Sequence, residues 1–194
     1  MTVGELRLGS YESGVYVRRA RYAPQAVMGL DLSLRGSAMV VLESDWKPGT
    51  WKRTRAERFT QAGLLAGDER VAAIVEGIHN NIGEVGHAFV EQHAFSAGLL
   101  SHAMARAELV GVVKRELFRQ YRITVVPVVA SSARKTLFGK QPRMSRKEWK
   151  RFIWAQLDEM GAPFEDEDTR DAFVIANAGW MQLGRRGLLS PTAQ

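Results

Sequence analysis

The stretch from Ala26 to Leu42, AVMGLDLSLRGSAMVVL, constrains this chain more than any other. Two apolar runs flank a short centre, Asp31 to Ser37, that contains an acid, two serines and a glycine. Runs rich in Val, Leu and Met on either side of a Gly turn read as adjacent strands, Ala26–Ser33 and Ser37–Leu42, paired around Arg35-Gly36. Asp31 then projects from an apolar strand, where an ionised carboxylate without a partner is costly. Either it caps the turn at Ser33–Gly36, or it is a metal ligand or phosphate-site acid at a strand's end. The second reading is favoured, because open α/β sheets place their chemistry at strand termini.

The rest of the chain supplies a sheet around that hairpin. The Pro-Gly pair in Trp46–Thr50 predicts a turn, and Trp51–Thr60 a third strand near a sheet edge, with polar and basic faces. A helix is expected from Asp68, with Val71, Ile74, Val75 and Ile78 inward, fraying by Gly83 or Gly86. His87–Gln92 is a short apolar run ending in Glu91. Ser101 to Tyr121 is the best helical pattern, with Ala103, Ala107, Val110, Val113, Leu117 and Tyr121 on one stripe. Ile123–Val129 reads as a strand whose Pro127 marks its end, and Ala130–Phe138 as a short helix. Ser145-Arg-Lys-Glu148 is a capping box opening a helix to Met160. Asp168–Leu183 is the last helix, with Ala172, Ile175, Ala176 and Gly179 as close-packing positions.

This order, β-β-β-α-β-α-β-α-α-α, predicts an α/β fold: a five-stranded mixed sheet, three strands antiparallel and two added in parallel, with helices on both faces. Residues 1–25 are expected to be an extension, 26–183 one domain and 184–194 a tail. With 45% hydrophobic and 25% charged residues the composition is that of a globular protein. Cysteine is absent, so a disulfide scaffold is excluded. No uncharged run approaches the roughly 18 apolar residues of a membrane span, and the expected location is the cytoplasm.

Net charge is +6, and its distribution is more informative than its size. Arg134–Arg151 contains eight Lys and Arg residues against Glu148 alone, and Asp158–Asp171 contains seven acids against Arg170 alone. A basic block feeding an acidic one suits an enzyme that grips phosphates and cuts beside bound cations. Acids stand at Asp31, at Glu91 and, three residues apart on one helix face, at Asp168 and Asp171. Clustered carboxylates repel unless cations sit among them, and hard oxygen donors suit Mg²⁺ or Mn²⁺. Two such ions about 4 Å apart can activate water and stabilise the leaving oxygen in phosphodiester cleavage. Against this stands a solvated acidic loop at Glu165–Asp168, with Asp168 as a helix N-cap.

Gly29-Leu-Asp31-x-Ser33, Val90-Glu91-Gln92 followed by Phe95, and Asp168-x-x-Asp171-Ala172-x-x-Ile175-Ala176 together resemble the RuvC-type Holliday junction resolvases of the ribonuclease H-like superfamily. The resemblance covers roughly Ala26 to Met181. It implies a ribonuclease H-like fold and a junction-resolving endonuclease that leaves a 5′-phosphate and a 3′-hydroxyl. By it, Asp31, Glu91, Asp168 and Asp171 are catalytic acids holding two Mg²⁺, with Mn²⁺ as a substitute. Lys147, with Lys135 in Lys135-Thr-Leu-Phe-Gly139, neutralises phosphate charge near the cut.

The chain departs from that family in having Leu32-Ser33 where Pro-Gly usually follows the first acid. It also has Ala94, between His93 and Phe95, where a stacking aromatic is expected, so His93 or Phe95 is the candidate wedge at a junction. Lys135, Lys140, Arg143, Arg146, Lys147 and Lys150 are the candidate DNA contacts. A related nuclease acting on structured RNA or other branched DNA shares these acids and is the closest rival.

A four-way junction cut on two opposed strands implies two active sites about a two-fold axis, hence a homodimer. The helix Ser101–Tyr121 is the candidate interface, with Ala103, Ala107 and Gly111 at four-residue spacing and Ala105, Leu109 and Val112 placed nearer its outer side.

Overall fold

The computed structural model describes residues 26–43, 54–59, 65–92, 100–140, 142–162 and 164–186. In chain order these form β1 (Ala26–Asp31), β2 (Ala38–Glu43), β3 (Thr54–Arg58), α1 (Gly67–Asn81), β4 (His87–Gln92) and α2 (Leu100–Tyr121). They continue as β5 (Val125–Val129), α3 (Ala130–Phe138), α4 (Arg146–Glu159) and α5 (Glu167–Arg185). The expected extension, residues 1–25, lies outside the described residues. So do His93 and Phe95. The last helix runs through Arg185, two residues into the stretch read from sequence as tail.

The five strands form one sheet in the order β3-β2-β1-β4-β5. β1 pairs antiparallel with β2, and β2 with β3, while β4 joins β1 and β5 joins β4 in parallel. The mixed sheet with a helical layer on each face is the ribonuclease H-like architecture. β1 is buried at every position because both of its faces are covered, which is why its sequence is an unbroken apolar run rather than an alternating one. β3 is the opposite case: Arg55, Ala56, Glu57 and Arg58 are exposed on an outer strand. Pro127, expected to mark the end of its strand, instead lies in the middle of β5, which runs on to Val129; the strand's place at the other edge of the sheet is where a proline is tolerated.

Period-two alternation divides the core. Val27, Val40, Leu42 and Phe89 face α5, with α3 and α4 packed beyond it. Met28, Leu30, Met39, Val41 and Val90 face the other way, onto α1 and α2. α5 is buried continuously from Ala172 to Trp180, as a helix pressed on a sheet centre must be.

The α2 helix corrects one expectation. Leu109 is fully buried, and with Val113 and Leu117 it forms the stripe packed against the sheet. Ala107 and Gly111 instead face outward, beside the exposed Met104 and Phe118. The inward stripe is chosen by its large aliphatic side chains, which bury more apolar area per residue than Ala or Gly.

Candidate active site

Backbone register places the site. Arg58 pairs with Ala38, and Ala38 with Asp31. Leu30 pairs with Val90, so the next residues, Asp31 and Glu91, lie side by side; Glu91 in turn pairs with Val128. Residues opposite one another across strands point to the same face, so Arg58, Asp31 and Glu91 stand in one row on the α5 side. Asp31 and Glu91 are at the C-terminal ends of parallel neighbours, where an α/β sheet opens.

The turn after β1 is closed by serines. The Ser33 hydroxyl donates to the Gly36 carbonyl at 2.5 Å and accepts from the Gly36 N–H at 2.9 Å. The Ser37 hydroxyl donates to the Ser33 carbonyl at 2.8 Å and accepts from its N–H at 3.0 Å. Arg70 of α1 ties the same turn from outside through the Leu34 carbonyl. Capping, the alternative role for Asp31, is therefore performed by Ser33 and Ser37.

Helix α5 brings the other two acids. Asp166 is its N-cap, accepting from the Thr169 N–H at 2.9 Å and from the Thr169 hydroxyl at 2.6 Å. That takes the capping role from Asp168, which lies in the first turn with its carboxylate over the β1–β2 turn. A Cβ at Gly36 would run into that carboxylate. The helix is pressed so closely on β1 that a Cβ at Gly29 would strike the backbone of Ala172 and Ala176.

The electrostatics are those of four carboxylates drawn together. Asp31 is only 8% exposed. Burial pushes its carboxyl well above the usual range; Glu91, Asp171 and Asp168 push it further, and Arg106 of α2 opposes them. Asp171 is raised to about 6, mainly by burial, with Glu91 and Glu167 adding to the effect and Arg134 and Lys150 opposing it. These are the perturbations expected of acids that lack a neutralising cation.

Cations from the chain partly fill that need. Arg58 directs two groups at one oxygen of Asp168, Nε and Nη2 each at 2.9 Å from Oδ2, and its Nε stands 3.8 Å from Asp166. Arg134 of α3 stands 3.8 Å from Asp171. Lys150 of α4 pairs with Glu167, beside the acids. Arg58, Arg106 and Arg134 were not among the residues singled out from sequence. Arg134 adjoins Lys135, and the register that delivers Arg58 depends on a strand pairing that local pattern does not give.

The other sequence candidates are placed around this centre. Lys135, Lys140, Arg143 and Lys147 are exposed on α3, on the following loop and on α4. Arg146 begins α4, whose capping box is present: Ser145 and Glu148 each bond the other's backbone N–H. A buried arginine fixes α4 against α5. Arg170 donates to the Phe164 carbonyl at 2.7 Å, pairs with Asp158 at 3.0 Å, and stacks 4.2 Å from the Trp154 ring centroid.

Among the described residues no three His, Asp or Glu side chains form a ready metal cage. The donors nevertheless suit a hard divalent cation. All four are carboxylates, Asp31 is buried, and Arg58 and Arg134 stand on Asp168 and Asp171 where a cation would compete.

No family model matches the sequence, and no curated protein matches it. The fold does find solved counterparts. Thermus thermophilus RuvC is similar with a TM-score of 0.58 at 19% identity, over 86% of this chain and 99% of that one. T. thermophilus RuvC in complex with a Holliday junction substrate gives 0.59 at 16% identity, over 86% and 98%. The fowlpox virus Holliday junction resolvase gives 0.50 at 9% identity, over 82% and 99%. At these identities the likeness is one of fold, and these three structures are RuvC, alone and with junction DNA, and a viral Holliday junction resolvase.

Proposed function

We infer that this chain is a divalent-cation-dependent endonuclease that resolves four-way DNA junctions. The observation that carries this is the meeting of Asp31 and Glu91, at adjacent strand ends, with Asp168 and Asp171 from a helix held against β1 at Gly29. The fold shared with the bacterial and viral resolvases supports the same reading, and so does the capture of one of them with junction DNA.

Asp31, Glu91, Asp168 and Asp171 would hold Mg²⁺ or Mn²⁺. When bound, two such ions supply water activation and stabilisation of the leaving oxygen, giving a 5′-phosphate and a 3′-hydroxyl. The protein's part is to keep Asp31 dry and fixed, so that its charge is strongest where the phosphate reacts. The exposed Lys135, Lys140, Arg143 and Lys147, with Lys150, then form a track for backbone phosphates leading to the acids.

Two opposed cuts call for two copies of the site. The outward face of α2, with Met104 and Phe118 exposed and Ala107 and Gly111 admitting close approach, is the proposed homodimer surface. Light scattering should return twice the chain mass, and Phe118→Asp should lower it.

The decisive experiment offers the purified protein labelled four-way DNA, linear duplex and structured RNA with Mg²⁺. Junction-selective nicking that is lost in Asp31→Asn, with junction binding retained, is expected. Cutting by that variant, or undiminished cutting in EDTA, would sink the assignment.

A further inference from the structure

Arg58 has no role in junction cleavage as inferred so far, yet it grips one of the four acids, Asp168, through two nitrogens. Its guanidinium places two nitrogens on Oδ2 of Asp168, a closer grip than Arg134 has on Asp171. The contact is delivered by the fold. Arg58 ends β3, in the same row and on the same face as Asp31, with Ala38 between them. Ala38 is too short to screen the guanidinium from α5, and Gly36 leaves room for the Asp168 carboxylate to meet it.

A divalent cation drawn to the Asp168 carboxylate meets a guanidinium already held at its Oδ2, and two positive groups so close repel each other. We propose that Arg58 is the resident counter-ion of Asp168, that it competes with the divalent cation for that carboxylate, and that once displaced it binds a backbone phosphate of the substrate. The proposal rests on the nuclease reading and gives that site an order of assembly.

Charge supplies the logic. Without a divalent cation, Arg58, Arg106, Arg134 and Lys150 are the cations that act on Asp31, Asp168 and Asp171 among the described residues, and beside so many carboxylates they leave a balance that offers little attraction to a phosphodiester. Cation binding turns the same balance strongly positive and releases a planar donor suited to a phosphate. Arg58 can make that exchange because its side chain is 45% exposed and that of Asp168 25%. A buried pair would resist separation. Its backbone stays hydrogen-bonded to β2, so the freed guanidinium remains beside the cut.

The test uses the full chain, with Mn²⁺ alone as the first probe. By calorimetry, Arg58→Gln should bind Mn²⁺ several-fold more tightly than wild type, because a competitor has gone. Arg58→Lys, which keeps the charge without the fork, should fall between them. A second measurement follows junction affinity against salt in Ca²⁺. Arg58→Gln should bind more weakly, with a salt slope smaller by about one. Melting curves accompany both variants, and Arg58→Lys carries the comparison if Arg58→Gln does not fold. Unchanged or weaker Mn²⁺ binding by folded variants would overturn the proposal, leaving Arg58 as a clasp that merely positions Asp168. An unchanged salt slope would overturn the transfer to phosphate. A wild-type protein that binds Mn²⁺ but cuts no junction would instead refute the nuclease reading, and the Mn²⁺ comparison would still be readable.

Discussion

Gly29 lies against the carbonyl of Ala172 with no room for a single added carbon: a Cβ there would come within 3.0 Å of the Ala172 oxygen and of the Ala176 nitrogen and Cα. The obstruction is backbone, which cannot rotate aside. This contact sets the distance between the strand that carries Asp31 and the helix that carries Asp168 and Asp171. Gly29→Ala is expected to cost about 1–3 kcal/mol through overpacking, which for a chain of this size lowers the melting temperature by about 2–4 °C per kcal/mol. Mn²⁺ affinity should fall with it, because the helix can relax only by lifting the acids away. A melting curve and cation affinity both equal to wild type would contradict this account.

Stability should depend on pH in a direction fixed by the acids. Asp171 titrates at about 6 in the folded chain against an ordinary 3.8, and Asp31 is shifted in the same direction. A folded-state value above the unfolded one gives stability that is complete below about pH 4 and is lost as pH rises through about 6. In EDTA the melting temperature should therefore fall across that window. Saturating Mg²⁺ should flatten the fall, because the ionised acids then have a partner. Asp31→Asn should be at least as stable as wild type at neutral pH, and a clear loss of stability would contradict the burial argument.

Arg134 opposes the upward shift of Asp171. Arg134→Met should move the Asp171 carboxyl above about 6, and the acid limb of the cleavage profile should move up with it. Carbon-detected NMR of the carboxylates would follow the first effect and a pH–rate series the second. An unmoved titration would place Arg134 outside the site.

Arg170 is 7% exposed, with a carbonyl, a carboxylate and an indole ring as partners. Arg170→Met removes the charge but strands the Phe164 carbonyl, at an expected cost of about 1–3 kcal/mol. Since Arg170 joins α5 to α4, junction affinity should weaken as well, even though Arg170 itself is hidden from DNA. A variant that melts early but binds junctions normally would show that α4 needs no such anchor.

Binding should be largely electrostatic. Arg143 and Lys147 are both exposed, and replacing both with Gln should reduce the slope of log affinity against log salt by nearly two. An unchanged slope would make this face of the protein a solvated one with no phosphates on it.

Much of the fold was legible because its signals are local. The Gly turn between two apolar runs and the capping box at Ser145 act within a few positions, and the run of small residues Ala172, Ala176 and Gly179 marks a close-packing helix face without naming its partner; each behaves in the structure as the pattern required. The four acids were legible because strand ends and a helix start leave them few places to go. Arg58, Arg106 and Arg134 were not, because each reaches an acid far from it in sequence. Arg58 lies 110 positions from Asp168, and which face of β3 it occupies follows from a register set two strands away. The outward side of α2 was misread for a related reason. Leu109 and Ala107 both fit a helical stripe, and only the presence of the sheet decides that leucine is the one turned inward.

The position of β3 at the margin of the sheet has a thermal consequence. Its described backbone is laddered to β2 alone, with exposed side chains along it, whereas Asp168 belongs to a helix packed across the centre of the sheet. Margins open before centres do. On warming, the guanidinium should let go of its carboxylate through brief detachment of the outer strand, well below the temperature at which the core melts. The charge state of the acids is thereby coupled to the breathing of an outer strand of the sheet, and amide exchange at residues 54–58 would report it.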